Sequence, residues 1–471
     1  MTLSKILSDR ASVEKYYFIV AVLFSISSTI LITTNFVFFR FSFPPIGEDE
    51  ASFISPAYNL LMKGKFSSDI HASFLPEAVR YTYWMPPFFM FSLAGFLKIF
   101  GIGITQAKLF SALCIISAGL CLGFSMKNWT SRCWITALFW ICPFVIFSST
   151  IIRMEAMGIL LTTTAIFCLR CKESHYQNSV LGVIAALCLM THPMVIACTV
   201  ALGIIVLKRG LKAFSIFLVT VLIVLSPYVI YIMQDQYAFF AQMSLQFARK
   251  GARGISTLTL PYAMQTFPLA VLAAILLFKI HESLELKWFL GLGLLLTVVV
   301  ILRSQEFNYH VYSIPYVLAI TGFYIDGYQN KFKILLPFLV FGFFIVLLAG
   351  KTKYYHLHDN RPYYDLIDFL HQHQSNWSDK KIFVEGEPDV SIFFLVKGQD
   401  VARINAFALT KKDWADNYEY VICATSKYPT YSNSKCYNAD NDGYKLPWLE
   451  WSKTTKYSSR NDIYSLLIYE R

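Results

Sequence analysis

Long apolar runs recur along the first 350 residues and constrain everything else about the chain. There are eleven, at about 16–39, 105–126, 133–152, 154–170, 178–191, 193–208, 213–233, 261–279, 288–302, 310–325 and 334–350. A helix needs about 20 apolar residues to cross a bilayer. The runs therefore predict an α-helical polytopic membrane protein with about eleven transmembrane helices. Composition agrees: 56% of residues are hydrophobic and 15% charged, where a soluble domain carries about 25% charged. The 41 Phe and 28 Tyr exclude a disordered chain. The first run is too long for a cleaved signal and has no small-residue cleavage site after it.

Charge orients the spans. The net charge of +11 lies entirely in residues 1–350, because residues 351–471 hold 16 basic and 16 acidic side chains. Nucleic-acid binding is one meaning of a basic chain, but these basic residues sit between apolar runs, as the positive-inside rule expects. With the N-terminus inside, the inner turns hold Lys127 and Arg132, Arg170 and Lys172, Lys208, Arg209 and Lys212, Lys279 and Lys287, and Lys331 and Lys333. An odd number of spans then puts residues 351–471 outside. The expected organisation is a membrane domain over 1–350, with a long first outer loop at 40–104, and an outer soluble α/β domain over 351–471. In that tail KIFVEG, SIFFLVKG, YEYVICAT and IYSLLIYE read as strands, and 362–374 reads as a helix.

Cysteine use divides the same way. Eight of the ten cysteines lie in or beside apolar runs and read as small apolar residues. No pair has metal-ligand spacing with histidine, so no zinc site is expected; no cofactor is expected either, and metal dependence stays open. Cys423 and Cys436 stand in the tail, where they are either a disulfide of an oxidising compartment or two unrelated thiols.

Charged groups are scarce in the middle of the runs, where transporters place theirs. They gather at the outer ends instead: Glu48, Asp49, Glu50, Arg80, Arg153, Glu155, His192, Arg249, Lys250, Arg253, Arg303, Glu306 and His310, with Tyr309 beside the last. This pattern points to a site at the membrane–water boundary, suited to a substrate with its lipid in the bilayer and its head outside. In the first outer loop Phe53, Ala57, Leu60, Leu61 and Gly64 follow Asp49 at helical spacing, which predicts an amphipathic helix along the interface. Asp49 and Glu50 open it. They either cap the helix and answer its dipole or offer a general base.

The spacing resembles that of GT-C-type membrane glycosyltransferases, especially the bacterial aminoarabinose transferase and protein mannosyltransferase group. There an Asp-Glu pair opens the first outer loop, with a small residue and a glycine on the following turns; here stand Asp49-Glu50, Ala57, Leu61 and Gly64. A Pro-Pro then opens a second surface helix that ends in Phe-Gly; here stand Pro86-Pro87, Ala94 and Phe100-Gly101. The two motifs cover roughly 1–125. The basic residue common before the Pro-Pro is Met85 in this chain, so that phosphate contact must come from elsewhere, with Arg80 a candidate.

The resemblance implies a polyprenyl-phosphate-linked sugar as donor and a glycan, lipid or protein as acceptor, lipopolysaccharide among them. It implies a bacterial inner-membrane enzyme with a cytoplasmic N-terminus and a periplasmic C-terminal domain. Asp49 would be the base in a direct, inverting displacement, and Glu50 would orient acceptor or backbone. The loop around Arg249, Lys250 and Arg253 would grip the donor phosphate, or else meet anionic lipid heads. Arg153 is a phosphate candidate or one half of a structural ion pair with Glu155. His192, in Thr191-His192-Pro193, is a turn residue or a substrate contact. Arg303, Glu306, Tyr309 and His310 are candidates for sugar or phosphate contact. Two other readings fit the same sequence: a transferase or ligase using a lipid-diphosphate donor, and a flippase for lipid-linked glycan.

Overall fold

Proline and glycine punctuate the apolar runs, and the helices start and stop at them. The computed structural model describes residues 17–30, 48–71, 75–171, 176–251, 265–304, 307–327, 332–352, 361–377, 380–386, 393, 401–404, 419–426, 452–458 and 464–470. The first helix, α1 (Tyr17–Ile30), packs Tyr17 and Phe24 against Trp134, with ring centroids 5.6 and 5.1 Å apart. Next, α2 (Glu48–Lys63) ends at Gly64, whose φ of +64° is the left-handed turn that glycine adopts freely. A 3₁₀ turn at Pro76–Val79 leads to α3 (Phe88–Phe100). Pro87 caps α3 and Gly101, at φ +92°, ends it, so the Pro-Pro and Phe-Gly motif brackets one helix as expected.

There follow α4 (Ile104–Phe124), α5 (Trp129–Ile141), α6 (Pro143–Thr150), α7 (Glu155–Arg170) and α8 (Gln177–Leu189). After a 3₁₀ turn at Pro193–Val195 come α9 (Ile196–Lys208), α10 (Leu211–Met233), α11 (Gln236–Gly251), α12 (Phe267–Leu277) and α13 (Leu284–Ser304). A second 3₁₀ stretch, Phe307–Ser313, precedes α14 (Ile314–Gly327) and α15 (Phe332–Thr352). Each of the eleven apolar runs is helical over most of its described residues.

Two expectations about single helices are corrected, those for 133–152 and for α2. The run at 133–152 is not one straight span: α5 and α6 meet at 62°, because Pro143 cannot donate to the preceding turn and Cys142 before it is extended. By length and composition, α4, α10 and residues 284–302 of α13 can cross a membrane, and the bent pair is a fourth candidate. Other apolar helices, including α1, α3, α8 and α12, are shorter. Finally, α2 does not lie free along an interface. Ala51, Phe53, Ile54, Ala57 and Tyr58 are all buried, and Phe53 meets Phe89 of α3 edge to face at 6.0 Å.

The bundle is apolar on its outside as well as its inside. On α10 only Phe217 and Val221 are buried, while Leu218, Val219, Leu222, Ile223, Val229 and Ile230 are exposed. Such a surface is unfavourable in water and suits lipid. Where helices approach closely, small residues allow it: Gly119 and Gly123 of α4 leave room for Trp140 and Thr136 of α5.

Basic residues at one end of the bundle are paired. Arg170 and Lys127 both reach Glu282. Arg209 meets Glu285 at 2.7 Å and the side-chain oxygens of Gln177 and Asn178. Asp326 accepts from the backbone N–H groups of Lys127 and Asn128, and Lys208 lies 3.7 Å above the Trp288 ring. These are the turns that the charge argument puts inside.

The tail forms a five-stranded sheet of β1 (Ile382–Gly386), β2 (Val401–Ile404), β3 (Tyr420–Ser426), β4 (Ser452–Ser458) and β5 (Tyr464–Glu470), in the order β2-β1-β3-β5-β4. The β1 strand runs parallel to β2 and β3, and β5 runs antiparallel to β3 and β4. Two helices, α16 (Arg361–Gln372) and α17 (Gln374–Trp377), precede the sheet. Leu366 and Leu370 of α16 are fully buried, and Phe369 stacks on Tyr457 at 4.2 Å. KIFVEG, YEYVICAT and IYSLLIYE are strands, and the expected helix is α16. Of SIFFLVKG only Phe393 is described, and it is helical; the rest lies outside the described residues. Cys423 lies in β3 and is disulfide-bonded, while the other eight described cysteines are free thiols. Cys436 lies outside the described residues.

Candidate active site

Three acids, Glu48, Asp49 and Glu50, occupy the first turn of α2, where the helix dipole favours negative charge. Glu50 is buried at 2% exposure, and its Oε1 accepts the backbone N–H of Ile152 at 2.6 Å. This charge-assisted bond ties the start of α2 to the short 151–154 link between α6 and α7. On that link Arg153 donates from Nε and Nη2 to Oε1 of Glu155, at 3.0 and 2.8 Å. Glu155 opens α7 and is fully buried. Its second oxygen, Oε2, has no hydrogen-bond partner among the described residues.

The 3₁₀ stretch at 307–313 closes over this pair. Glu155 and Arg153 both act electrostatically on the Tyr312 phenol, whose buried hydroxyl also lacks a partner among the described residues. Gly158, one turn into α7, makes the approach possible: a Cβ there would stand 2.8 Å from the Tyr312 ring. His192 stacks on Tyr312 at 5.5 Å and meets Tyr309 edge to face at 5.2 Å. Its Nδ1 accepts from the Met194 N–H at 3.1 Å, so the proton of the neutral ring is on Nε2. Behind it, His310 bonds Thr266 Oγ1 through Nδ1 at 2.7 Å and stacks on Phe144 at 5.5 Å. Glu50, Arg153, Glu155, His192, Tyr309 and His310, spread over some 260 positions of sequence, thus gather at one end of the bundle. It is the end away from Arg170, which closes the helix that Glu155 opens.

A second group faces the first outer loop. Gln242 of α11 is fully buried; its Oε1 accepts from Tyr83 N–H at 2.7 Å and its Nε2 donates to Tyr81 O at 2.9 Å. One turn on, Gln246 Nε2 donates to Trp84 O at 3.0 Å. The two glutamines lie on one face of α11 and fasten it along residues 81–84. The next position on that face is Lys250, beside Arg249, in the last turn of the helix. The loop runs on through Pro86-Pro87 to Phe88, whose N–H bonds Met190 O at 2.8 Å, two residues before His192. Tyr231 links the same loop, accepting from Thr82 N–H and donating to Phe66 O. The Tyr83 hydroxyl donates to Tyr231 O at 2.9 Å, and burial together with the nearby Asp235 charge pushes its phenol up to about 12.

Other candidates stand apart or are described only in part. Arg80 is exposed, 5.2 Å from the Tyr81 ring, and no described contact joins it to Glu155 or His192. For Asp49, Arg249, Lys250 and Arg303 the backbone alone is described, in the first turn of α2 and the last turns of α11 and α13. Arg253 and Glu306 lie outside the described residues. Sequence reasoning missed Tyr312, Gln242 and Gln246. The i, i+4 glutamines just before a basic triplet were a readable signal; Tyr312 sits inside an apolar run and carried none.

No family model and no curated protein matches the sequence. Two solved structures match over nearly their whole length: the aminoarabinose transferase ArnT from Cupriavidus metallidurans bound to undecaprenyl phosphate, and the same protein in the apo state. Each aligns at a TM-score of 0.61 and 11% identity, covering 95% of this chain and 97% of the other. The chain has the GT-C fold. At this identity the likeness concerns architecture, and the expectation drawn from Asp49-Glu50 and Pro86-Pro87 is borne out at that level.

Proposed function

We propose that this GT-C chain is a membrane glycosyltransferase, moving a sugar from a polyprenyl phosphate to a glycan, lipid or protein acceptor at the membrane surface. The observation that carries the reading is the convergence of Glu50, Arg153, Glu155, His192 and Tyr309 at one end of the bundle. The neighbouring ArnT structure holds undecaprenyl phosphate, which supports a lipid-phosphate donor here.

In this reading Asp49, beside the pinned Glu50, takes the acceptor hydroxyl proton as its oxygen attacks the anomeric carbon. The sugar–phosphate bond breaks as the new glycosidic bond forms, the polyprenyl phosphate leaves, and the carbon inverts. Glu50 holds the base's turn against the 151–154 link. Glu155 and Tyr312 bring a carboxylate oxygen and a phenol to one buried place, and they hydrogen-bond sugar hydroxyl or amino groups. Arg249 and Lys250 in the last turn of α11, with Arg253 following in the sequence, neutralise the leaving phosphate. They supply the cation that Met85 does not. Cys423 pairs with Cys436 in the outer domain.

The test is Asp49→Asn. Asn still caps a helix but cannot accept the proton, so turnover should fall by about 100-fold or more with thermal stability nearly unchanged. Wild-type sugar transfer by the folded variant would return Asp49 to a capping role.

A further inference from the structure

One face of α2 is polar although the helix is buried. Ser52, Ser55 and Asn59 follow one another at i, i+3 and i+7, and the returning loop runs back along them. Asn59 Nδ2 donates to Ser67 O at 3.1 Å and to Asp69 Oδ2 at 3.0 Å. Ser68 Oγ meets Ser55 Oγ at 3.3 Å. At the top of the seam His71 Nε2 meets Ser52 Oγ at 2.8 Å. The next position on this face, three residues earlier, is Asp49, one helical turn from Ser52.

The first turn of α2 needs such support. Pro56 lies inside the helix. It has no N–H to give the Ser52 carbonyl, and its ring crowds that carbonyl. The helix therefore lacks one backbone hydrogen bond just past the turn that carries Asp49. Side-chain contacts hold that turn: Glu50 to Ile152 on one face, and Ser52 to His71 on the other. His71 is itself buried, and its ring lies 5.8 Å from that of Trp84, whose carbonyl Gln246 holds. The same histidine therefore touches the helix of the proposed base and the strip that carries α11.

We propose that Ser52 and His71 are positioning residues for the base: they set the turn of Asp49, and His71 keeps that turn in register with the phosphate-gripping end of α11. This inference rests on the reading of Asp49 as the base. It adds two residues to the reaction that neither motif contains.

The experiment uses the full-length protein in phospholipid vesicles. The donor probe is a bacterial lipid extract containing tritiated undecaprenyl-phosphate sugars, and the acceptor probe is the outer-envelope glycolipid of the same cells. Ser52→Ala and His71→Phe should each lower kcat about tenfold, the worth of one well-placed hydrogen bond. The donor KM and the affinity for undecaprenyl phosphate alone should stay within about twofold. His71→Gln, which can still bond Ser52, should recover most of the loss. In an Asp49→Asn background, Ser52→Ala should cost nothing further, because residues acting through one group are not additive.

A normal kcat in Ser52→Ala, with Asp49→Asn crippled, overturns the positioning role and leaves the base standing. Fully additive losses in the double variant overturn it too, since a merely structural contact behaves so. Normal turnover by Asp49→Asn overturns the base and this inference together. If His71→Phe fails to fold, Ser52→Ala decides alone, for it removes one hydroxyl from a half-buried position.

Discussion

Gln242 shows what a single side chain contributes here. It is wholly buried and spends both ends of its amide on one loop, accepting from Tyr83 and donating to Tyr81. Truncation to alanine leaves a buried N–H and a buried C=O without partners, at about 1–3 kcal/mol each. Gln242→Ala should therefore lower the thermal midpoint by several degrees in detergent, whereas Ser244→Ala, on the exposed face of α11, should leave it in place. Differential scanning fluorimetry of the purified variants reads this directly. Glu155 is the opposite case. One oxygen is satisfied by Arg153 and the other is buried without a partner among the described residues. An unsatisfied buried oxygen is a standing cost, and a site that hydrogen-bonds sugar is a physical reason to keep it. Glu155→Gln should cost sugar transfer more than it costs stability, and comparing kcat/KM with the thermal midpoint separates the two.

At the scale of elements, α11 joins the proposed phosphate-binding residues to the architecture. It is amphipathic in a particular way: Ala238 and Gln242 face inward, while Tyr237 and Phe240 are exposed. The exposed aromatics suit the bilayer interface, where such rings are at home, and the inward glutamines fasten the helix to residues 81–84. Its last turn carries Arg249 and Lys250, with Arg253 following in the sequence. If these cations hold phosphate, each makes a charge-assisted hydrogen bond of about 1.5–3 kcal/mol. The triple alanine variant should then bind undecaprenyl phosphate far more weakly, by a factor of roughly ten or more for each cation removed. Binding measured by native mass spectrometry or lipid-vesicle competition tests this, and unchanged affinity would hand the cations to anionic lipid heads.

For the whole molecule, the paired basic residues at Arg170, Lys127 and Arg209 and the acid-bearing end at Glu155 mark two opposite faces. On the proposed positive-inside orientation, the first face would lie in the cytoplasm and the tail outside. A reporter fused after residue 360 should be active only on the outer side. Within the tail, the disulfide-bonded Cys423 has Cys436 as its expected partner, and an oxidising compartment is where such a bond persists. Peptide mapping without reductant should recover the two cysteines in one cross-linked fragment. Two free thiols in fresh membranes would remove that support for an outer tail.

Much of this was readable without coordinates, for a definite reason. Apolar runs, Pro87, Gly64 and Gly101 act locally: a run long enough to avoid water becomes a helix, and a proline or a left-handed glycine ends one. Helix positions, the bracketing of α3 and the motif order therefore followed from the chain itself. So did the expectation of a site at the membrane–water boundary, because charged groups cannot sit at mid-bilayer without cost. What neighbours what is another matter. The Glu50 bond to Ile152 spans 102 positions and that of Gln242 to Tyr83 spans 159, and no local pattern encodes such pairs. The bend at Pro143, the burial of α2 and the stacking of His192 on Tyr312 also depend on which helices pack together. Hydrophobic periodicity says that a face is buried but not by what. Only the tertiary structure decided that the acids and the histidines meet at one end of the bundle and that the two glutamines fasten α11 along residues 81–84.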